Sequence, residues 1–270
     1  MGIQKVDRTE KTKLLQALIT GGHRVATTSV VKQVAHECGI DPDYTPHIIS
    51  SLIQDDWLTP LKKGLYQLSQ ATGISPVHEF EIAMYLIKPA MISYYSAFYH
   101  HGLTDQVPKR VYISTLKGHL NPPGKGQNRR ARFKLADIEY QVVQLKKERY
   151  YGEIQAWRGE GGFKVADLER TLIEGFASPQ YCGGFNEVMQ GFMDGLEKVN
   201  LKKLIDYALR WDVAVSRRVG WALEELGIEK TKLEPLVQRD RSGYRRLDPS
   251  RPAQGHYSKE WLLQINLSGV

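Results

Sequence analysis

Residues 28–54, TSVVKQVAHECGIDPDYTPHIISSLIQ, decide how the N-terminal part of this chain folds. The first half follows Thr28 or Ser29, either of which can cap a helix, and repeats Val30, Val31, Val34 and Ala35 at helical spacing. It stops at Gly39, a residue that accepts the left-handed conformation of a helix end. The second half opens on Asp41 and Pro42, which read as an N-cap and a first-turn proline, and carries an apolar stripe of Ile48, Ile49, Leu52 and Ile53. Only Gly39-Ile40-Asp41 separates the two patterns. A glycine-containing interval of that length is the turn of a helix-turn-helix.

On the N-terminal side, Leu14, Leu15, Leu18 and Ile19 predict a further helix from about Arg8 to Ile19, ended by Gly21 and Gly22. On the C-terminal side, Trp57-Leu58-Thr59 and Leu65-Tyr66-Gln67-Leu68 flank a turn ending in Gly64 and predict a two-stranded wing. Residues 70–76, QATGISP, break both periodicities, so the domain limit is placed there: a winged helix-turn-helix over 1–72 and a partner-binding domain over 73–270. Beyond the limit, helices are expected over 77–87 and 93–101 and a strand over 109–115. A loop rich in glycine and proline over 116–131 precedes strands over 132–135 and 138–145. Helices follow over 167–176, 185–193, 201–210 with Asn200 as N-cap, and 217–226 with Ser216 as N-cap; strands over 244–247 and 261–267 close the chain. The expected class is α+β, a winged helix-turn-helix followed by a larger mixed domain with a helical section towards its end.

Hydrophobic residues make up 41% and charged residues 25% of the 270, the balance of a folded globular protein. No apolar run approaches the roughly 18 residues that cross a bilayer, and the first residues lack the apolar core of a signal peptide, so a cytoplasmic protein with no membrane partner is expected. Two cysteines, Cys38 and Cys182, are too few and too far apart for a disulfide framework or a cysteine-rich zinc site. The net charge of +7 favours a polyanionic partner, and its distribution is uneven. Residues 1–70 hold eight basic against seven acidic side chains, whereas residues 108–134 hold Lys109, Arg110, Lys117, Lys125, Arg129, Arg130, Arg132 and Lys134 and no acid. That segment is a basic patch for a DNA backbone, an RNA or an acidic partner, or else a solvated loop.

In a helix-turn-helix the third helix enters the major groove with its polar side towards the bases. Opposite the apolar stripe stand Tyr44, Thr45, His47, Ser50, Ser51 and Gln54, all able to hydrogen-bond a base or a phosphate, and none of them is an arginine. Lys62 and Lys63 stand at the predicted wing tip, where they would meet phosphates. The same helix side and turn also suit a winged module that docks a protein. Catalytic motifs are scarce: there is no phosphate-cradling glycine loop, no H-E-x-x-H and no G-x-S-x-G, and no cofactor or metal site is expected. Asp137 and Glu139, placed on a strand, leave a metal-dependent nuclease as the remaining enzymatic alternative, although Gln141 stands where a nuclease would carry its lysine. Asp167, in Asp167-Leu168-Glu169-Arg170-Thr171-Leu172, reads as an N-cap with Glu169 in the first helical turn.

These residues resemble the AbiEi-type antitoxins of bacterial abortive-infection (type IV toxin–antitoxin) systems over nearly the whole chain. The marks are Lys63-Gly64-Leu65-Tyr66, Ile92-Ser93-Tyr94-Tyr95-Ser96-Ala97 running into His101-Gly102-Leu103-Thr104, the helix start at Asp167–Leu172, and the end from Leu247-Asp248-Pro249 through Trp261 to Asn266. The resemblance implies a non-enzymatic repressor that binds inverted repeats in its own promoter as double-stranded DNA. It also implies that the chain counteracts a nucleotidyltransferase-like toxin encoded beside it.

Overall fold

The computed structural model describes residues 8–116, 130–135, 137–239 and 242–267. Their elements are, in chain order, α1 Arg8–Thr20, β1 Val25–Thr27, α2 Thr28–Glu37, α3 Thr45–Gln54, β2 Leu58–Lys62, β3 Leu65–Leu68, α4 Glu79–Leu86, β4 Met91–Ile92, α5 Tyr94–His100, β5 Arg110–Thr115, β6 Arg130–Leu135 and β7 Ile138–Gln144. They continue with β8 Glu153–Arg158, β9 Gly161–Ala166, α6 Leu168–Ala177, α7 Phe185–Gly195, α8 Leu201–Arg210, α9 Val213–Glu225, α10 Lys230–Val237, β10 Arg245–Arg246, β11 His256–Ser258 and β12 Leu263–Ile265. The class is α+β, with helices α6 to α10 forming the helical section expected towards the end. Three sheets have the strand orders β1-β3-β2, β6-β7-β5-β4-β9-β8 and β10-β12-β11. No helix among the described residues is long and apolar enough to cross a membrane.

The chain divides into two compact units: residues up to Lys88 with Arg132–Tyr140 and Gln155–Phe163, and Pro89–Ala131 with Gln141–Ile154 and Lys164 onwards. The first unit includes α4, where Phe80 meets Phe163 edge to face at 5.3 Å and Arg158 Nη1 lies 2.7 Å from His78 Nε2. In the first unit α1, β1, α2, α3 and the β2–β3 hairpin follow the order of a winged helix-turn-helix, closed over Leu14, Leu18, Val31, Ala35, Ile48 and Leu52, all fully buried. The three-residue β1, which the sequence reading left out, completes the wing sheet by pairing antiparallel with β3 from Val25↔Gln67 to Thr27↔Leu65.

In the second unit β4 pairs antiparallel with β5 and parallel with β9, and α6 is buried on nearly every side. Two of the expected helix caps are found and a third is replaced. Asp167 Oδ1 accepts from the Arg170 N–H (2.8 Å) and Asn200 Oδ1 from the Lys203 N–H (3.1 Å), both as expected. But α9 begins at Val213, four residues before the expected start at 217, capped by Asp212, whose Oδ1 accepts from the Val215 N–H (3.1 Å); the Ser216 hydroxyl donates instead to the Ala208 carbonyl. On the same helix Gly220 leaves room for Trp261: a Cβ there would stand 2.1 Å from Trp261 Cζ3. Gly220→Ala is expected to lower the stability of the full chain by about 1–3 kcal/mol through overpacking, read as a lower urea midpoint. An unchanged midpoint would show that Trp261 has space to retreat.

Candidate nucleic-acid interface

The third helix begins later than the Asp41-Pro42 pair suggested. Asp41 Oδ1 accepts from the Asp43 N–H (2.9 Å), a local turn that leaves Pro42 outside the helix, and α3 starts at Thr45 with Pro46 in its first turn. Thr45 precedes Ile48 and Ile49 by three and four residues and so shares their side of the helix. Thr45 is fully buried with Ile48, Ile49 and Leu52, so it is withdrawn as a base-reading residue. His47, Ser50 and Gln54 are exposed, and Tyr44 is half-buried with its ring 5.5 Å from that of His47. The Ser50 hydroxyl donates to the Pro46 carbonyl (3.0 Å), leaving its oxygen lone pairs for a donor from outside.

Ser51 is half-buried and turned towards α1, where Lys11 Nζ donates to its hydroxyl (3.2 Å). The same ammonium pairs with Asp55 and lies over the Trp57 ring at 5.3 Å. Ser51 is thus part of a brace between α1 and α3 rather than of the outward face. Lys13 Nζ makes a second tie, donating to the Cys38 carbonyl (2.6 Å) at the end of α2.

The wing places Lys62 and Lys63 as predicted, both exposed at the hairpin turn. Gly64 closes that turn with φ +75°, a conformation that glycine adopts without steric cost. Its carbonyl accepts from the Thr28 N–H (3.0 Å), which anchors the tip beside the start of α2. Thr27 caps α2 by accepting from the Val30 N–H (3.3 Å), and Ser29, exposed at that helix start, shares a hydrogen bond with the Thr27 hydroxyl (2.7 Å). The only sequence signal of Ser29 was its place as a possible N-cap.

The structure divides the basic segment of residues 108–134 into unlike parts. Lys109 is exposed, whereas Arg110 is half-buried, with its guanidinium 6.0 Å from the Tyr112 ring centroid. Lys117, Lys125 and Arg129 lie outside the described residues; Arg130 opens β6, and Arg132 and Lys134 are exposed on that strand. Lys134 Nζ pairs with Asp137 (3.3 Å). Asp137 lies in the turn between β6 and β7 and not on a strand as expected, whereas Glu139 is on β7. Among the described residues no group of three His, Cys, Asp or Glu is arranged to hold a metal.

The motif around Asp167 is the most heavily bonded part of the second unit. Arg170 and Glu174, both fully buried, pair at 2.8 Å; Arg170 also donates to the Tyr151 carbonyl (2.9 Å), and Glu174 Oε2 accepts from the Tyr94 N–H (3.1 Å). Tyr94 has φ +53°, and this carboxylate holds its backbone there. Burial pushes the Glu174 carboxyl above its ordinary range even against Arg170. Burial acts on Glu169 in the same sense, yet the Lys203 ammonium (2.8 Å) and the Asn200 N–H (2.9 Å) hold it below that range. Every polar atom of this motif that spacing singled out serves capping or pairing.

The class that these features define is an α+β protein of two units, the first with winged-helix order, an outward polar helix side and a lysine-tipped hairpin. No family model and no curated protein sequence matches the chain. Among solved structures it is similar to the crystal structure of the RV2827C protein from Mycobacterium tuberculosis, with a TM-score of 0.64 and 17% identity over 94% of this chain and 90% of that one. At that identity the likeness is one of fold.

Proposed function

We propose that this protein is a DNA-binding autorepressor and antitoxin of a type IV, AbiE-like toxin–antitoxin system. In this reading α3 lies in the major groove of its own promoter with His47, Ser50, Gln54 and Tyr44 towards base edges, and Lys62 and Lys63 rest on flanking phosphates. The second unit then serves in opposing a nucleotidyltransferase-like toxin, the part of the reading that rests on the motif resemblance. The observation that carries the DNA-binding half is the division of α3 into a buried apolar side and an exposed polar side, together with two exposed lysines on a hairpin turn anchored to the start of α2.

A salt-dependent gel shift of the full chain on its own promoter fragment tests it. The wild type is expected to bind, and Lys62→Gln with Lys63→Gln to reduce the slope of log affinity against log salt by about 1.8, or about 0.9 per lost phosphate contact. His47→Ala is expected to cost about 1–3 kcal/mol on the promoter and far less on unrelated DNA. Absence of a shift at low salt from a chain that circular dichroism shows to be folded would remove the repressor. Rescue of growth from the neighbouring toxin that persists after Lys62→Glu and Lys63→Glu abolish the shift would assign the antitoxin activity to protein docking independent of the operator.

A further inference from the structure

The register of the C-terminal sheet collects aromatic and basic side chains on one face. β12 is its central strand, parallel to β10 and antiparallel to β11, and Gln264 is paired with Arg246 on one side and with Tyr257 on the other. Residues paired across neighbouring strands project to one face, as do residues two apart along a strand. Arg246, Gln264 and Tyr257 therefore share one face, which the Tyr244 ring joins through its contact with Tyr257, while Leu263 and Ile265 are buried on the opposite one.

The Tyr244 and Tyr257 rings meet edge to face with centroids 4.8 Å apart. Gln264 Nε2 donates to the Tyr257 hydroxyl (3.2 Å), fixing the tip of that ring. The rings nevertheless stay open, at 43% and 55% exposure, on the same face as exposed Arg246. A main-chain carbonyl steadies the guanidinium: Arg246 Nη1 donates to that of Arg251 (2.7 Å), while Arg245, paired with Leu263, projects to the other face. Residues 242–259 carry four basic side chains and a single acid, Asp248, which is buried and paired with Arg251 (3.2 Å).

We infer that this face binds single-stranded nucleic acid, with unpaired bases stacking on Tyr257 and Tyr244 and phosphates meeting Arg246. Open rings bordered by a cation are what a strand with free bases requires, since stacking uses the ring faces and the backbone needs the charge. An acidic peptide would engage the guanidinium and leave both rings unused. The site is separate from the helix proposed to read duplex DNA and does not rest on that reading.

Fluorescence anisotropy of labelled oligouridylate and oligothymidylate with the full chain tests the inference, the two arms deciding between RNA and single-stranded DNA. The wild type is expected to bind at least one of them, and Tyr257→Ala and Tyr244→Ala each to weaken binding between about 5-fold and 100-fold. Tyr257→Phe, which keeps the ring, is expected to remain within about twofold. Arg246→Gln is expected to lower the salt slope by about 0.7. Promoter-duplex binding is expected to be unchanged in all four variants, which separates a failure here from a failure of the repressor reading. Lack of wild-type binding to either oligomer would overturn the inference, as would alanine variants that are folded by circular dichroism and bind like the wild type. Binding of oligoglutamate that is indifferent to both tyrosines, with no binding of either oligonucleotide, would assign the face to an acidic protein and equally overturn it.

Discussion

Arg170→Met is expected to cost about 3–5 kcal/mol of folding stability, because it removes one half of a fully buried ion pair and leaves the Glu174 carboxylate without its partner. The loss includes the bond to the Tyr151 carbonyl and loosens the carboxylate that holds the Tyr94 backbone at positive φ. The pH dependence follows from the sign of the shift. Burial already raises Glu174, and taking away Arg170 raises it further, so the folded variant favours the protonated acid. Stability that the variant lacks at alkaline pH should therefore return as the pH falls towards the ordinary carboxyl range. Urea melts of wild type and variant at pH 5 and pH 8 check this, the deficit being larger at pH 8. Arg170→Met with Glu174→Leu should recover most of the loss, since apolar replacement of both partners is often neutral. A single variant as stable as the wild type at both pH values would show the pair to be dispensable.

A fragment ending at residue 72 is expected to be markedly less stable than the first unit within the whole chain, and Arg24→Met in the full chain to reproduce much of that effect. Arg24 sits just ahead of β1 and is 7% exposed. Its guanidinium donates to the carbonyls of Ser75 (3.0 Å) and Pro76 (2.9 Å) and pairs with Glu160 (3.4 Å) and Glu81 (3.8 Å), all beyond residue 72. Losing it strands Glu81, a 5% exposed carboxylate that burial has already pushed up. The cost should approach the 3–5 kcal/mol of a broken buried pair, reduced because Glu160 is exposed and solvent screens its share. Thermal unfolding of Arg24→Met against Arg24→Lys measures it; lysine keeps the charge and is expected to recover only part, lacking the second nitrogen with which the guanidinium reaches Glu160 while Nη2 holds both carbonyls. Equal melting of all three proteins would mean that these contacts add nothing.

Much of the first unit was legible before any coordinates. The repeats at Leu14–Leu18, Val31–Ala35 and Ile48–Leu52 are local signals, and a helix at such spacing buries the same residues in almost any context. The wing was legible from Gly64, and the caps at Asp167 and Asn200 from single residues acting over three positions. The candidate interface was only partly legible. Its helix starts three residues later than the proline suggested, because the Asp41 side chain closes a turn on Asp43. Thr45 then faces the core, and Ser51 is taken by a lysine 40 residues away.

The amino-acid sequence by itself determined where helices α1, α2 and α3 and the hairpin form, since propensity, periodicity and capping act within a few residues. Tertiary structure alone decided which polar residues remain outside. Arg24 finds its partners at residues 75, 76, 81 and 160, β1 exists only by pairing with β3, and Arg246 shares a face with Tyr257 only through β12. Those arrangements depend on chain segments far apart in sequence meeting in space, and no local pattern of residues encodes that meeting.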